Sequence, residues 1–284
     1  MQNKKINAFI LFVALAIVSF TSFAQENDAF KKIQALGWKF SPSDGDIAKR
    51  AKVKLDGGLL FLDDKDTNEF LTLLGNLPRA DTFTVAKGDL QWFSVFSFLE
   101  EGYVKDDEKI DADALLATLK ENNLAGAEER KKRGLPALHL EGWSIPPRYD
   151  SGTKRLEWAT LLSGDSGEKT VNFSTKLLGR HGHMDVVLVS SPETLNQDIV
   201  EFKSMLQGFD YIAGERYSEW TQGDKVAAYG LGALVLGGAA AVATKKGLWA
   251  MLGGLLAVGW KLLAGLAIAA LAGLGSIFKK KKTD

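Results

Sequence analysis

The chain has 284 residues, 46% hydrophobic and 25% charged, the range of ordinary globular proteins. Its 35 Lys and Arg balance 35 Asp and Glu, so no global basic surface argues for nucleic acid. The absence of cysteine excludes disulfides, thiol catalysis, thiolate zinc sites and a lipidated N-terminal cysteine.

Taken in order, Met1 to Ala24 has the parts of a secretory signal. Lys4 and Lys5 precede an apolar stretch from Ile6 to Phe20, and Ser22-Phe23-Ala24 supplies small residues for cleavage. An uncleaved anchor is the alternative, and either way the following residues are expected to be exported. Gln25 to Arg50 show no clear pattern. Val53 to Leu55 and Leu59 to Leu62, joined by Asp56-Gly57-Gly58, are expected to form a hairpin. Asp64-Lys65-Asp66-Thr67-Asn68 has the look of a calcium loop. Glu69 stands where that loop needs glycine, however, and Gly75 where it needs its last glutamate. A helix through Leu74, opened by Asp66 and Glu69 as a capping pair, accounts for these residues better. Thr82 to Ala86 and Trp92 to Phe98 follow as strands, the second apolar on both faces as in a central strand.

Ile110 to Arg133 forms the clearest helix. Asp111 caps it, Ile110 staples to Leu115, and Ala112, Leu115, Leu116 and Leu119 line one face. It ends on Arg130, Lys131, Lys132 and Arg133 before Gly134 and Pro136, a run that suits a helix C-terminus better than an anionic partner. From Leu138 a meander is expected, with strands at Leu138 to Trp143, Arg155 to Ser163, Glu168 to Leu178 and His183 to Val189. In the third, Val171, Phe173 and Leu177 alternate with Asn172, Ser174 and Lys176. A helix over Glu193 to Gln207 and a mixed strand-and-loop segment, Phe209 to Trp220, complete this part.

The tail is different in kind. Between Val226 and Phe278 its only charges are Lys245, Lys246 and Lys261, and Lys279 to Lys282 close it. A helix needs about 20 apolar residues to cross a bilayer. Val226 to Thr244 is long enough for one crossing and Gly247 to Phe278 for another. Repeated glycines suit close helix approach. Lys261 adds a cost unless it snorkels or faces protein. Basic residues favour the cytoplasmic side, yet a hairpin would leave Lys279 to Lys282 outside, so one crossing and two both stay open.

Three constellations invite chemical readings. In His181-Gly182-His183-Met184-Asp185, alternate residues on a strand share a face, so two imidazoles and a carboxylate would converge on one metal. Alternatively, His181 sits in a turn while His183 and Asp185 face solvent. Gly164-Asp165-Ser166-Gly167 resembles the nucleophile loop of trypsin-like proteases, but Glu168 stands where a second glycine is needed, and a hairpin turn explains it. The third is the loop Gly142 to Asp150, with Pro146-Pro147, closed by Leu156 to Ala159. Trp143, Tyr149 and Trp158 would frame a peptide or glycan groove with Arg148 and Asp150 as polar contacts; the favoured alternative is a packed corner.

Glu141-Gly142-Trp143, Pro146-Pro147-Arg148-Tyr149-Asp150 and Arg155-Leu156-Glu157-Trp158-Ala159 resemble the core signature of an uncharacterised bacterial family, the domain-of-unknown-function family numbered 2167. Further matches are Gly102 to Asp107, Ile110 to Leu115, Val171 to Phe173, Leu178-Gly179-Arg180, Gly214 to Tyr217 and Asp224 to Leu231. The resemblance spans nearly the whole exported chain. It implies a signal sequence, an exported domain and a C-terminal membrane anchor, and brings no activity. The family pattern has no obligatory ligand pair at His181 and His183.

The expected protein is an α+β domain, mainly antiparallel sheet with packed helices, over residues 25–223, followed by a C-terminal transmembrane helical region. Residues 1–24 form the signal, 224–278 the anchor and 279–284 a basic tail. The expected place is a bacterial cytoplasmic membrane, with the domain on the periplasmic side. The leading function is non-enzymatic binding or assembly. The partners are the lipid bilayer and an envelope protein or a second copy, with no nucleic acid, cofactor or catalytic residue assigned. The alternatives are a metal-dependent hydrolase using His181, His183 and Asp185, and glycan or peptide binding at the Trp143–Trp158 loop.

Overall fold

The computed structural model describes residues 23–76 and 79–238. The expected signal through Ser22, and the tail from residue 239 onward, lie outside them. The described strands form two sheets. In spatial order the larger runs Lys39–Phe40 (β1), Leu59–Leu62 (β4), Thr82–Lys87 (β5), Phe93–Leu99 (β6), His183–Ser190 (β10), Lys169–Leu178 (β9), Arg155–Gly164 (β8) and Leu138–Asp150 (β7). Every neighbouring pair is antiparallel. The smaller runs Phe209–Tyr211 (β11), Ala51–Leu55 (β3) and Ser43–Ile47 (β2). The helices are Phe23–Gln34 (α1), Asp64–Leu73 (α2), Ala112–Lys132 (α3), Leu195–Met205 (α4) and Leu231–Val235 (α5).

Both faces of the large sheet are covered. On one, Val85, Phe96, Ala159, Val171, Phe173, Leu177, Met184, Val186 and Leu188 pack against the small sheet (Ile47, Val53, Leu55) and α4 (Leu195, Phe202, Met205). On the other are two separate clusters. Phe70 and Leu71 of α2 meet Ala86, Phe93, Val95, Val187 and Val189. Leu115 and Leu119 of α3 meet Leu138, Leu140, Leu156, Trp158, Leu162 and Leu178. Period-two alternation therefore does not separate core from water in the central strands β6, β9 and β10, whose two faces serve different cores.

That layering corrects several expectations. Leu55 and Leu59 do flank a tight turn, with Gly57 and Gly58 at φ +64° and +83°. The strands they end are not a hairpin, because β3 pairs with β2 and β11 while β4 pairs with β1 and β5. The turn hands the chain from one sheet to the other. Asp63, not Asp66, caps α2, its carboxylate accepting from the Asp66 N–H at 3.1 Å. Asp111 caps α3 as expected, accepting from Ala114 N–H. Gly134, at φ +70°, terminates α3 in the left-handed conformation a Cβ disfavours. Arg130 is not part of an exposed basic run. It is buried, and its guanidinium donates to the carbonyls of Pro136 and Gly75. Asn172, Ser174 and Lys176, expected on a polar face, are buried.

The stretch from Asp224 begins within the domain rather than outside it. Val226 bridges to Tyr103, and Leu231, Leu234 and Val235 are buried in the α3 cluster. Among the described residues no helix is long and apolar enough to cross a membrane.

Phe202 is fully buried and meets the Phe173 ring edge-on at 5.9 Å. Phe202→Ala leaves a cavity between sheet and α4 and is expected to cost about 3–5 kcal/mol, read from the urea midpoint at unchanged m-value.

Candidate functional site

The turn between β9 and β10, Gly179-Arg180-His181-Gly182, is the point where distant segments meet. A Cβ on Gly182 would run into the Leu99 carbonyl, so only glycine lets the turn lie against the end of β6. Gly102 N–H donates to His181 O at 2.9 Å, and Arg180 N–H to Glu215 O at 2.8 Å. Gly179 pairs with Arg216 as an isolated bridge. Beneath the turn, the Tyr211 hydroxyl accepts from Met184 N–H at 2.8 Å and donates to Leu177 O at 2.7 Å.

Charged groups ring this turn in pairs. His181 Nδ1 lies 3.0 Å from Glu215 Oε2, whose other oxygen accepts from Arg50 at 2.5 Å. Arg50 also donates to Glu100 at 2.8 Å and stands over the Phe98 ring. Arg180 grips Asp224 with two bonds, Nε to Oδ2 at 2.7 Å and Nη2 to Oδ1 at 3.0 Å. That guanidinium, with the Thr221 backbone N–H, holds the Asp224 carboxyl well below the usual carboxylate range.

His183 and Asp185 face away from His181's partners, into the helical side of the sheet. His183 is 1% exposed, its Nδ1 has no hydrogen-bond partner, and it lies 4.0 Å from Glu101. Burial pushes its pKa down to about 3, with Lys176 adding to the shift, so the ring is neutral in the fold. Asp185 is held by Lys176 Nζ at 2.5 Å. Burial pushes its carboxyl up, but Lys176 and Arg79 outweigh that and keep it ionised. The solvent-facing alternative for His183 and Asp185 is thus corrected, because both side chains are enclosed beside Lys176, with Glu101 next to His183. His181, His183 and Asp185 each have a different environment. Among the described residues no group of three or more His, Asp or Glu is placed to hold a metal.

The loop expected over Gly142 to Asp150 is instead strand. β7 runs unbroken past Pro146 and Pro147 by slipping register at three places against β8. Trp158 is buried, with Trp143 and Tyr149 packed against the same cluster. Trp143 Nε1 donates to Ala112 O at 3.0 Å, and the Tyr149 hydroxyl to Asp106 at 2.7 Å. Lys154 joins Asp106 at 2.8 Å. Asp150 accepts from Gly152 and Thr153 N–H groups in the following turn, and Arg148 is exposed opposite Glu157. In Gly164 to Gly167, Ser166 bonds to Glu168 while Asp165 bonds to His139, so serine and histidine have separate partners.

An open groove of about 770 Å³ lies between α4 and the small sheet, lined by Lys54, Lys87, Trp92, Val200, Glu201 and Met205 among others. Its central carboxylate is already engaged. Glu201 accepts from Trp92 Nε1 and Lys87, which with Gln197 lower its pKa to about 2.

Sequence reasoning did not find the Arg50–Glu215–His181 chain, the Arg180–Asp224 clamp or the Lys176–Asp185 pair. The segments carrying the family resemblance were the available signal. Gly102 to Asp107, Leu178 to Arg180, Gly214 to Tyr217 and Asp224 to Leu231 all converge on this one end of the sheet.

Two outcomes follow from this geometry. Tyr211→Phe strands a buried N–H and carbonyl and is expected to cost about 1–3 kcal/mol by chemical denaturation. His183 must be neutral to fold, with a folded pKa near 3 against 6.5 ordinarily. Its contribution is therefore complete above pH 6.5 and is lost as pH falls toward 3, by up to about 1.4 kcal/mol per pH unit. Urea midpoints at pH 7.5, 6.5, 5.5 and 4.5 should fall with acidity, and His183→Gln should flatten the decline between 6.5 and 4.5.

A family model described as "Protein of unknown function (DUF2167)" matches residues 39–272. No curated protein matches the chain. Among solved structures, similarity extends to the solution structure of cyanobacterial PsbP (CyanoP) from Synechocystis sp. PCC 6803. There the identity is 13% and the TM-score 0.35, over 60% of this chain and 91% of that one. It also extends to the crystal structure of the Saccharomyces cerevisiae Ran-binding protein Mog1p, at 10% identity and TM-score 0.32, over 64% of this chain and 100% of that one. Both likenesses are too distant to bear on function.

Proposed function

The chain belongs to the DUF2167 family, and we propose that it is a non-enzymatic binding or assembly module of the bacterial envelope. In this reading residues 1–24 direct export, and the apolar tail holds the domain at the periplasmic face of the cytoplasmic membrane by one or two helices. The domain engages a membrane or envelope protein or a second copy.

One observation carries the reading: the segment leading into the tail is fastened to the sheet at several independent points. Tyr103 N–H donates to Lys225 O and Ala227 N–H to Tyr103 O, at 2.8 and 2.9 Å. Arg180 holds Asp224, and the Tyr217 hydroxyl donates to Val104 O at 2.9 Å. Gly232 N–H donates to Glu108 at 3.0 Å, and α5 is buried beside α3. A tether needs none of this; a flexible linker would serve. Rigid fastening suits a module that must present a fixed face at a defined height above a membrane. The residues a catalytic reading would draw upon are held apart from this clamp: His181 lies on Glu215, Asp185 is paired with Lys176, and His183 is buried. Neither the hydrolase reading at His181, His183 and Asp185 nor glycan or peptide capture at Trp143, Arg148, Tyr149, Asp150 and Trp158 has an observation in its favour.

The test is crosslinking and pulldown from intact cells expressing the tagged full chain beside a version ending at Gly238, which retains α5. A specific partner, or a self-crosslink, captured by the full chain supports the reading, and its capture by the short form as well places recognition in the domain. Turnover by the purified chain that single-residue substitution abolishes would overturn it.

A further inference from the structure

Three rings form a ladder beside the tail's take-off. Tyr217 is buried, Tyr103 stacks on it with centroids 4.3 Å apart, and Trp220 lies against Tyr103 at 5.3 Å. The outermost ring is 39% exposed, and Val226, bridged to Tyr103, is 40% exposed. These apolar side chains are held outward by a rigid frame, since Tyr217 is bonded to Val104 and residues 225–227 pair with Tyr103. A solvated loop would gain by folding them inward.

We propose that the Tyr103–Trp220–Val226 patch is a lipid-contact surface, seated in the headgroup region of the bilayer that the tail enters. This rests on the membrane-held reading above. The described chain ends at Gly238, where a Cβ would run into the Glu101 carboxylate, only two residues from Tyr103. The patch thus lies beside the point from which residues 239–284 continue, with their long apolar run and terminal lysines. A tryptophan with an apolar body and a polar N–H is the residue that favours this depth. The exposed charges flanking Tyr103 and Val226 in the chain are of mixed sign: Lys105, Lys109 and Lys225 with Asp107 and Glu108. Charges of both signs leave the three apolar side chains as the feature that distinguishes the patch. The surface is an aromatic one, suited to zwitterionic headgroups and insensitive to salt.

The chain has no native cysteine, so single substitutions can carry an environment-sensitive fluorophore without background labelling. Val226→Cys is compared with Val200→Cys, a 68%-exposed position on α4. Both full-length proteins are reconstituted into phosphatidylcholine vesicles with and without brominated acyl chains. The expected result is flotation of both, with a blue-shifted probe at 226 that brominated lipid quenches severalfold more than the probe at 200, unchanged by added salt. Adding Trp220→Ala should shift the probe at 226 back toward water. If the chain floats but the two probes behave alike, the lipid-contact surface is wrong while the anchor stands. A shielded probe at 226 that lipid does not quench places the tail or a second copy on the patch, and also overturns the proposal. Failure to float overturns both readings together.

Discussion

The fold depends on a sheet whose central strands are covered on both faces, so their polar side chains depend on the protein rather than on water for partners. On the face toward the small sheet this is easily met, because the inward residues are nearly all apolar. On the helical face two apolar clusters flank a strip that includes Thr84, Ser97, Thr160, Asn172, Ser174, Lys176, His183 and Asp185. The Lys176–Asp185 pair anchors that strip, with the lysine also over the Trp158 ring at 5.5 Å. A pair in such surroundings adds little net stability, but removing one partner leaves a buried charge.

The same constraint acts at the end of the sheet, where β6, β9, β10 and the 209–227 segment have to be closed off together. Backbone groups there cannot all be satisfied by strand pairing, since the neighbouring chain arrives as loop. Tyr211, Arg180, Glu215 and Gly102 supply the missing partners. Glycine at 102 and 182 is what permits the backbones to approach so closely. The result joins residues 224–227 to the central strands.

The elements that were legible from pattern are those whose signal is local. β5, β6, α3 and α4 appear close to their expected bounds because their apolar runs, caps and stop signals lie within or next to the element itself. The meander from β7 to β10 is right in order, though β7 continues through a stretch read as a loop. Pro146 and Pro147 argued against strand, yet this is an edge strand with slipped register, where missing donors are tolerated. The hairpin at Gly57-Gly58 failed for a different reason. The turn chemistry was correct, but each arm pairs with strands other than its neighbour across the turn, β2 and β11 for one and β1 and β5 for the other.

The site was less legible still. Trp143, Tyr149 and Trp158 are drawn together by the α3 cluster, as the favoured packed-corner reading expects, though a linear reading leaves the groove open as well. By itself the sequence determined the class of the domain, its mainly antiparallel character, the family, and the contrast between a polar domain and an apolar tail. These follow from composition and short-range periodicity. Only the tertiary structure decided which charges pair, that His183 and Asp185 are enclosed rather than wet, and that residues 224–238 belong to the domain. Those outcomes depend on which helices cover which face and on contacts more than a hundred residues apart, such as Tyr103 with Val226, and no local pattern encodes them.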